Sequence, residues 1–131
     1  MNPIGLDGDI ERAVAGVAGS ANGGLIVTPT ASAAGRRDLI VTLAARHKLP
    51  AIYGYRSDVV AGGLMSYGAD GTDQFRQAAT YIDRILKGER PADLPMQVPT
   101  KYQLVLSLRT AKALGLAFPQ SLITAADEVI E

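Results

Sequence analysis

Two spacings of apolar positions alternate along this chain, one of helical period and one of short continuous runs. Ile10, Ala13, Val14 and Val17 fall on one face of a short helix, with Asp7 or Asp9 near its start. Gly19 and the SANGG run at 20–24 then break the chain. LIVT at 25–28 is continuous, apolar and β-rich, the pattern of a strand buried on both faces, and Pro29 ends it. Thr30 to Gly35 reads as a loop of small residues. Over 36–48 the stripe Leu39, Ile40, Leu43 and Ala44 predicts a helix. Its last turn carries Arg46, His47 and Lys48, which suit the negative end of the dipole. AIYGY at 51–55 is a second short strand. Strand, helix and strand within about 30 residues make a right-handed βαβ unit with parallel strands.

Beyond it, Ser57 to Gly63 is a helical turn or loop, and LMSYG at 64–68 is a third strand. Asp70 and Thr72 offer N-caps for a long helix over 72–88, whose stripe is Phe75, Ala79, Ile82 and Leu86. Gly88 suits its C′ position. Pro91, Pro95 and Pro99 make the next stretch extended. YQLVLSL at 102–108 reads as a fourth strand. Ser107 caps a short helix that Gly115 closes. Pro119 opens a last helix carrying Leu122, Ile123, Ala126, Val129 and Ile130. Helices alternating with short apolar strands mean an α/β fold, a mainly parallel sheet flanked by helices. The proline-rich stretch 91–99 is the best crossing between structural halves, in what reads as one compact unit.

Composition narrows the function classes. At 131 residues the chain fits one domain able to bury a core. Thirteen basic and thirteen acidic side chains cancel, so no general field draws nucleic acid or an anionic membrane. Cysteine is absent, which excludes disulfides and thiolate metal sites. No apolar run approaches the roughly 20 residues that span a bilayer. The N-terminus has neither a basic n-region nor a long apolar h-region, so the chain as written is expected to stay in the cytoplasm.

Catalytic signatures are missing. Ser66 lies in LMSYG, where Leu64 stands in place of the glycine of a nucleophile elbow. No phosphate-binding glycine motif occurs, and GSANGG at 19–24 precedes a strand instead of following one. His47 is the only histidine and reads as a solvated helix-end residue, so neither a metal nor a cofactor is expected. Asp70 and Asp73 are explained by capping. The chain is not expected to be an enzyme. Tyrosines are more suggestive. Tyr53 and Tyr55 stand at the carboxyl end of one predicted parallel strand and Tyr67 at the end of the next, where open α/β sheets bind ligands. Their rings suit stacking on a small solute and their hydroxyls suit hydrogen bonding it. Half-buried core with a satisfied hydroxyl explains Tyr53 or Tyr67 equally well. TPTASAAG at 28–35 offers backbone N–H groups to a ligand or simply turns tightly; both readings stand.

In order, GGLIVTP, RRDLIVTLAARHKLPAIY, VVAGGLMSYGAD, AATYIDRILKGERPADLP, PTKYQLVLSLRTAKALGL and the ADEVIE end carry a family resemblance. From Ile10 to Glu131 the chain resembles the C-terminal portion of an ABC-transporter substrate-binding protein of the type I periplasmic-binding fold. The resemblance implies two α/β lobes that close on a small ligand, which a membrane permease with an ATPase then takes, and it implies a periplasmic location. It places residues 1–60 in the second lobe. Residues 61–131 then hold the crossover, the helix 72–88 against the first lobe, a hinge strand at 102–108 and the C-terminal helices. Pro29, Thr30, Tyr53, Tyr55, Ser66, Tyr67 and Asp70 would face the cleft. Against the family pattern the sequence lacks the first lobe's initial strands, the start of the second lobe and the export signal. An excised fragment or a short reading frame is expected.

Missing lobe partners leave edges and apolar faces that seek cover, so a homodimer or a swapped assembly is expected. The ligand class is a small organic solute, such as an amino acid or an aromatic acid. The alternatives are a self-associating fragment without a ligand and a small flavodoxin-like α/β enzyme, which would need a catalytic dyad at the strand ends.

Overall fold

The computed structural model describes residues 6–131. The first five residues of the N-terminal stretch read as lacking an export signal lie outside them. Helix α1 spans Leu6–Ala18, with Asp7 and Asp9 in the first turn, where they complement the dipole. It buries Val14 against Leu43 and Leu49, with Ile10 and Val17 beside them. Strand β1 is Leu25–Ile26, and it is shorter and more open than an inner strand. Leu25 and Val27 pack on the core, but no described element covers the opposite face of β1, where Ile26 is 82% exposed, so the reading of 25–28 as buried on both faces is corrected.

Thr30 to Gly35 is helical, not a loop. Thr30 caps α2 (Ala31–Ala34) by accepting from the Ala33 N–H at 3.2 Å, and alanine favours the helix once it is capped. Helix α3 (Arg37–Arg46) follows, burying Ile40, Val41, Leu43 and Ala44. Strand β2 is Ala51–Tyr53, pairing parallel to β1 with Leu25 opposite Ala51. Tyr55 has left the strand and is the N-cap residue of α4 (Arg56–Val60), so its place is the start of a helix and not a strand end. Strand β3 (Met65–Ala69) runs parallel to β2 with Tyr53 opposite Ser66.

The last strands extend the sheet. Strand β4 is Tyr102–Ser107, and Ser107 both ends it and caps α6 (Leu108–Leu114), accepting from the Thr110 N–H at 3.1 Å. Ser107 N donates to Leu64 O, and Asp70 N donates to Lys101 O, so β3 and β4 run in opposite directions. After Gly115, at φ 72, comes α7 (Gln120–Ala125). The expected continuation of that helix is wrong. Glu128–Ile130 forms β5, parallel to β4, because β-branched Val129 and Ile130 favour a strand and a ladder partner is available. Asp127 tightens the entry: its N–H donates to Leu104 O and its Oδ2 accepts from Leu104 N. The sheet of the described residues thus has the order β1-β2-β3-β4-β5, mostly parallel and flanked by helices.

Two compact units result, one comprising the chain up to Gly68 with Gln103–Glu131, the other Ala69–Tyr102. The first holds the buried core, in which Ile40, Val41, Ala44, Ala51 and Tyr53 form one cluster. The second is built on α5 (Gly71–Leu86). Asp70 caps α5 through Oδ1, at 2.9 Å from Thr72 N, and its other oxygen lies 3.3 Å from Lys101 Nζ. That lysine, first, and the two backbone N–H groups hold the Asp70 carboxyl below its ordinary range. The Tyr81 hydroxyl donates to Pro95 O, and Arg84 grips Glu89 through two nitrogens.

Candidate functional site

At the carboxyl ends of β1 and β2 the first unit opens a cleft of about 270 Å³, including its mouth. Val27, Thr28 and Pro29 supply one wall, Ala33, Ala34, Arg37 and Ile40 the next. Tyr53, Gly54, Tyr55 and Asp58 complete it. The chain reaches this shape through close backbone passage. A Cβ on Gly54 would come 2.9 Å from Pro29 Cβ, and one on Gly68 only 2.0 Å from Gly54 O. Glycine at both points lets the ends of β1, β2 and β3 crowd together.

Tyr53 is the floor. It is buried, and its hydroxyl pKa is pushed up to about 12 by burial and then by the negative charge of Asp58. Asp58 is the unusual group. Its side chain belongs to a residue only 8% exposed, yet its Oδ2 accepts just one hydrogen bond, from Tyr55 N at 3.2 Å, among the described residues. Burial raises its pKa. The Tyr55 N–H and the charge of Arg37 pull it partly back. Arg37 does not touch it: its Nε pairs with Asp38 Oδ1 at 3.2 Å, and its effect on Asp58 acts through space. Opposite charges therefore line one cleft without closing on each other.

Of the sequence-predicted site residues, Pro29, Tyr53 and Tyr55 come together here. Thr30 lies next to them in the chain, exposed, its Oγ1 engaged with Ala33 N and Ser32 Oγ. Ser66 is buried opposite Tyr53 in the sheet, while Tyr67 is exposed; neither lines this cleft. Asp70 belongs to the second unit as the cap of α5. Arg37 and Asp58 were missed. Arg37 carried a signal: a cation in the first turn of a helix opposes the dipole, which suggests a role elsewhere. Asp58 sits three residues after Tyr55, at the position that reaches back to an N-cap N–H, and that spacing reads simply as a helix cap.

Among the described residues that line the cleft, no nucleophile is hydrogen-bonded to a base. Among the described residues no group of three His, Cys, Asp or Glu side chains gathers to hold a metal ion. No described helix is long and apolar enough to cross a membrane.

The family model described as ABC transporter substrate binding protein matches residues 6–130. The chain belongs to that family. Solved structures repeat its architecture. An ABC domain from Streptococcus pneumoniae in complex with L-Trp is 26% identical, with a TM-score of 0.82 over 95% of this chain and 42% of that one. A conserved domain protein from Vibrio cholerae O1 biovar El Tor is 24% identical, with a TM-score of 0.83 over 94% of this chain and 41% of that one; it shares the fold. A ligand-free, open substrate-binding protein with adhesive properties from Clostridium difficile is 17% identical, with a TM-score of 0.64 over 95% and 41%. No protein of curated function matches significantly. This substrate-binding family member thus spans about two fifths of the length of the solved structures it matches.

Proposed function

We propose that this protein is a solute-binding component of a bacterial ABC uptake system and catalyses nothing. It takes a small organic ligand, an amino acid or an aromatic acid, outside the cytoplasm, in the periplasm or at the cell surface, for delivery to a permease. The cleft at the carboxyl ends of β1 and β2 carries the reading, because that is where open α/β sheets receive ligands. The L-Trp complex of the Streptococcus pneumoniae relative supports the ligand class. Pro29, Tyr53 and Tyr55 form the proposed site, with Thr30 next to it in the chain. Residues 1–60 are read as part of the second lobe. Residues 61–131 are read as the crossover, the long helix, a hinge strand at 102–108 and the C-terminal elements.

A thermal-shift screen against amino acids, aromatic acids and short-chain acids tests this. One-site binding stabilises by about 2.7 kcal/mol at a hundredfold excess over Kd, which moves the melt by several degrees. No shift with any class overturns the reading.

A second copy of the chain is the proposed partner of α5. Phe75, Ala79, Ile82 and Leu86 are spaced alternately four and three residues apart, the seam of a two-helix coil, and all four are exposed. Antiparallel pairing sets Phe75 against Leu86 and Ala79 against Ile82 of the copy, and brings Arg76 beside the opposite charge of Asp83. Light scattering is expected to give twice the protomer mass, and Ile82→Asp to halve it. A monomer at all concentrations refutes the pairing.

A further inference from the structure

The geometry points to Arg37 and Asp58 as a divided charge pair that reads both ends of a zwitterionic α-amino acid, Asp58 taking the ammonium and Arg37 the carboxylate. This rests on the proposed solute-binding role of the cleft and narrows its ligand class to amino acids over aromatic acids.

Three observations carry it. The two groups line the same cleft with opposite charges and make no ion pair with each other. Asp58 is buried, and a buried carboxylate kept only for stability would be met by a cation at hydrogen-bond distance. Asp58 also has spare acceptor capacity. A carboxylate offers about four lone-pair directions, and among the described residues one protein donor, Tyr55 N, uses this one. Finally, the enclosed depth of the cleft has room for about one water-sized group, with the rest of its space at the mouth. An ammonium group is that size. It fits the depth beside Asp58 while the carboxylate stays at the mouth, where Arg37 is 39% exposed, and the apolar body lies over Pro29 and Tyr55.

Charge decides the selectivity. An aromatic acid without the amine leaves Asp58 buried and unpaired while adding a second negative charge, and an amine without the carboxylate leaves Arg37 unused. A hydrogen bond to a charged group changes affinity by about tenfold or more.

Calorimetric titration of the full chain with L-phenylalanine, 3-phenylpropionate and 2-phenylethylamine tests the pair. L-Phenylalanine is expected to bind at least about tenfold more tightly than either analogue. Asp58→Asn retains an oxygen for Tyr55 N, so the fold is kept. It should bring L-phenylalanine down to the affinity of 3-phenylpropionate and leave the latter little changed. Arg37→Gln should erase the advantage over 2-phenylethylamine. In the unaltered protein, L-phenylalanine should also shift the ¹³C resonance of the Asp58 carboxyl. Equal binding of L-phenylalanine and 3-phenylpropionate, a preference that survives Asp58→Asn, or an unmoved Asp58 resonance on saturation overturns the inference and leaves the solute-binding role intact. Silence from all three compounds, together with no hit in the broader thermal screen, overturns both.

Discussion

Helices α3 and α5 carry the same kind of apolar stripe and meet opposite fates. In α3, Ile40, Leu43 and Ala44 are 7%, 5% and 5% exposed, closed over by α1 and the β1–β2 pair. In α5, Phe75, Ile82 and Leu86 are 81%, 58% and 82% exposed. Periodicity reports that a face is built to be covered. It does not report what covers it, because the cover comes from chain distant in sequence, or from another molecule. The difference separates a unit whose core is closed from one whose apolar face is open, and mutation can test that difference directly.

The largest contrast is expected from truncating the two stripes. Leu43→Ala should lower the unfolding free energy by about 2–5 kcal/mol, the loss of a buried leucine. Leu86→Ala should change it by less than about 0.5 kcal/mol at dilutions where the chain is monomeric. Urea denaturation of both variants checks this, and equal losses would show that the face of α5 is covered after all. Glycines give the next contrast. Gly68→Ala drives a Cβ into Gly54 O and should cost about 1–3 kcal/mol. Gly71→Ala, with nothing within 4 Å of the new methyl, should be neutral or slightly stabilising. Thermal melts of the pair decide.

Titration gives the smaller effects. Tyr53 holds its proton more tightly folded than unfolded, so its contribution is intact below about pH 10, the ordinary tyrosine value, and fades as pH rises toward about 12. Tyr53→Phe should remove the last step of the alkaline absorbance titration of the folded chain. A final step that persists would assign the high value to another tyrosine. Smallest is the Arg56–Glu128 pair, two bonds of 2.6 Å joining α4 to β5. Arg56 holds the Glu128 carboxyl below its usual range, so its stabilisation is present above the ordinary glutamate pKa and lost as pH falls through the lowered one. Glu128→Gln should flatten the acid limb of the melting profile between about pH 5 and 3, and only modestly, because the pair is partly solvated. An unchanged limb would mean that the bridge contributes nothing.

Much of the fold was legible because its signals are local. The α3 stripe, the Ser107 cap and the Gly115 stop all act within a few residues. So do the parallel pairing implied by one strand–helix–strand run and the Asp70 cap. What escaped depends on distant chain. Ile26 looks like a buried residue in its run and is exposed because, among the described residues, no element covers its face of β1. Val129 and Ile130 suit a helix stripe and a strand equally, and β4 decides. In the cleft, tyrosines drew attention because aromatic residues at strand ends are conspicuous. The charges were hidden, Asp58 by its capping position and Arg37 by a neighbouring aspartate that explains it too easily.

The order of the strands has a consequence for how the molecule is made. Each strand pairs with the one synthesised just before it, from β1 to β5. Growth from one edge requires no earlier strand to wait for a later one to be inserted between neighbours. Each connection returns to the strand just laid down, even the one between β3 and β4, which carries the whole of α5. The sheet can therefore be laid down strand by strand as the chain leaves the ribosome, with its growing edge always belonging to the newest segment.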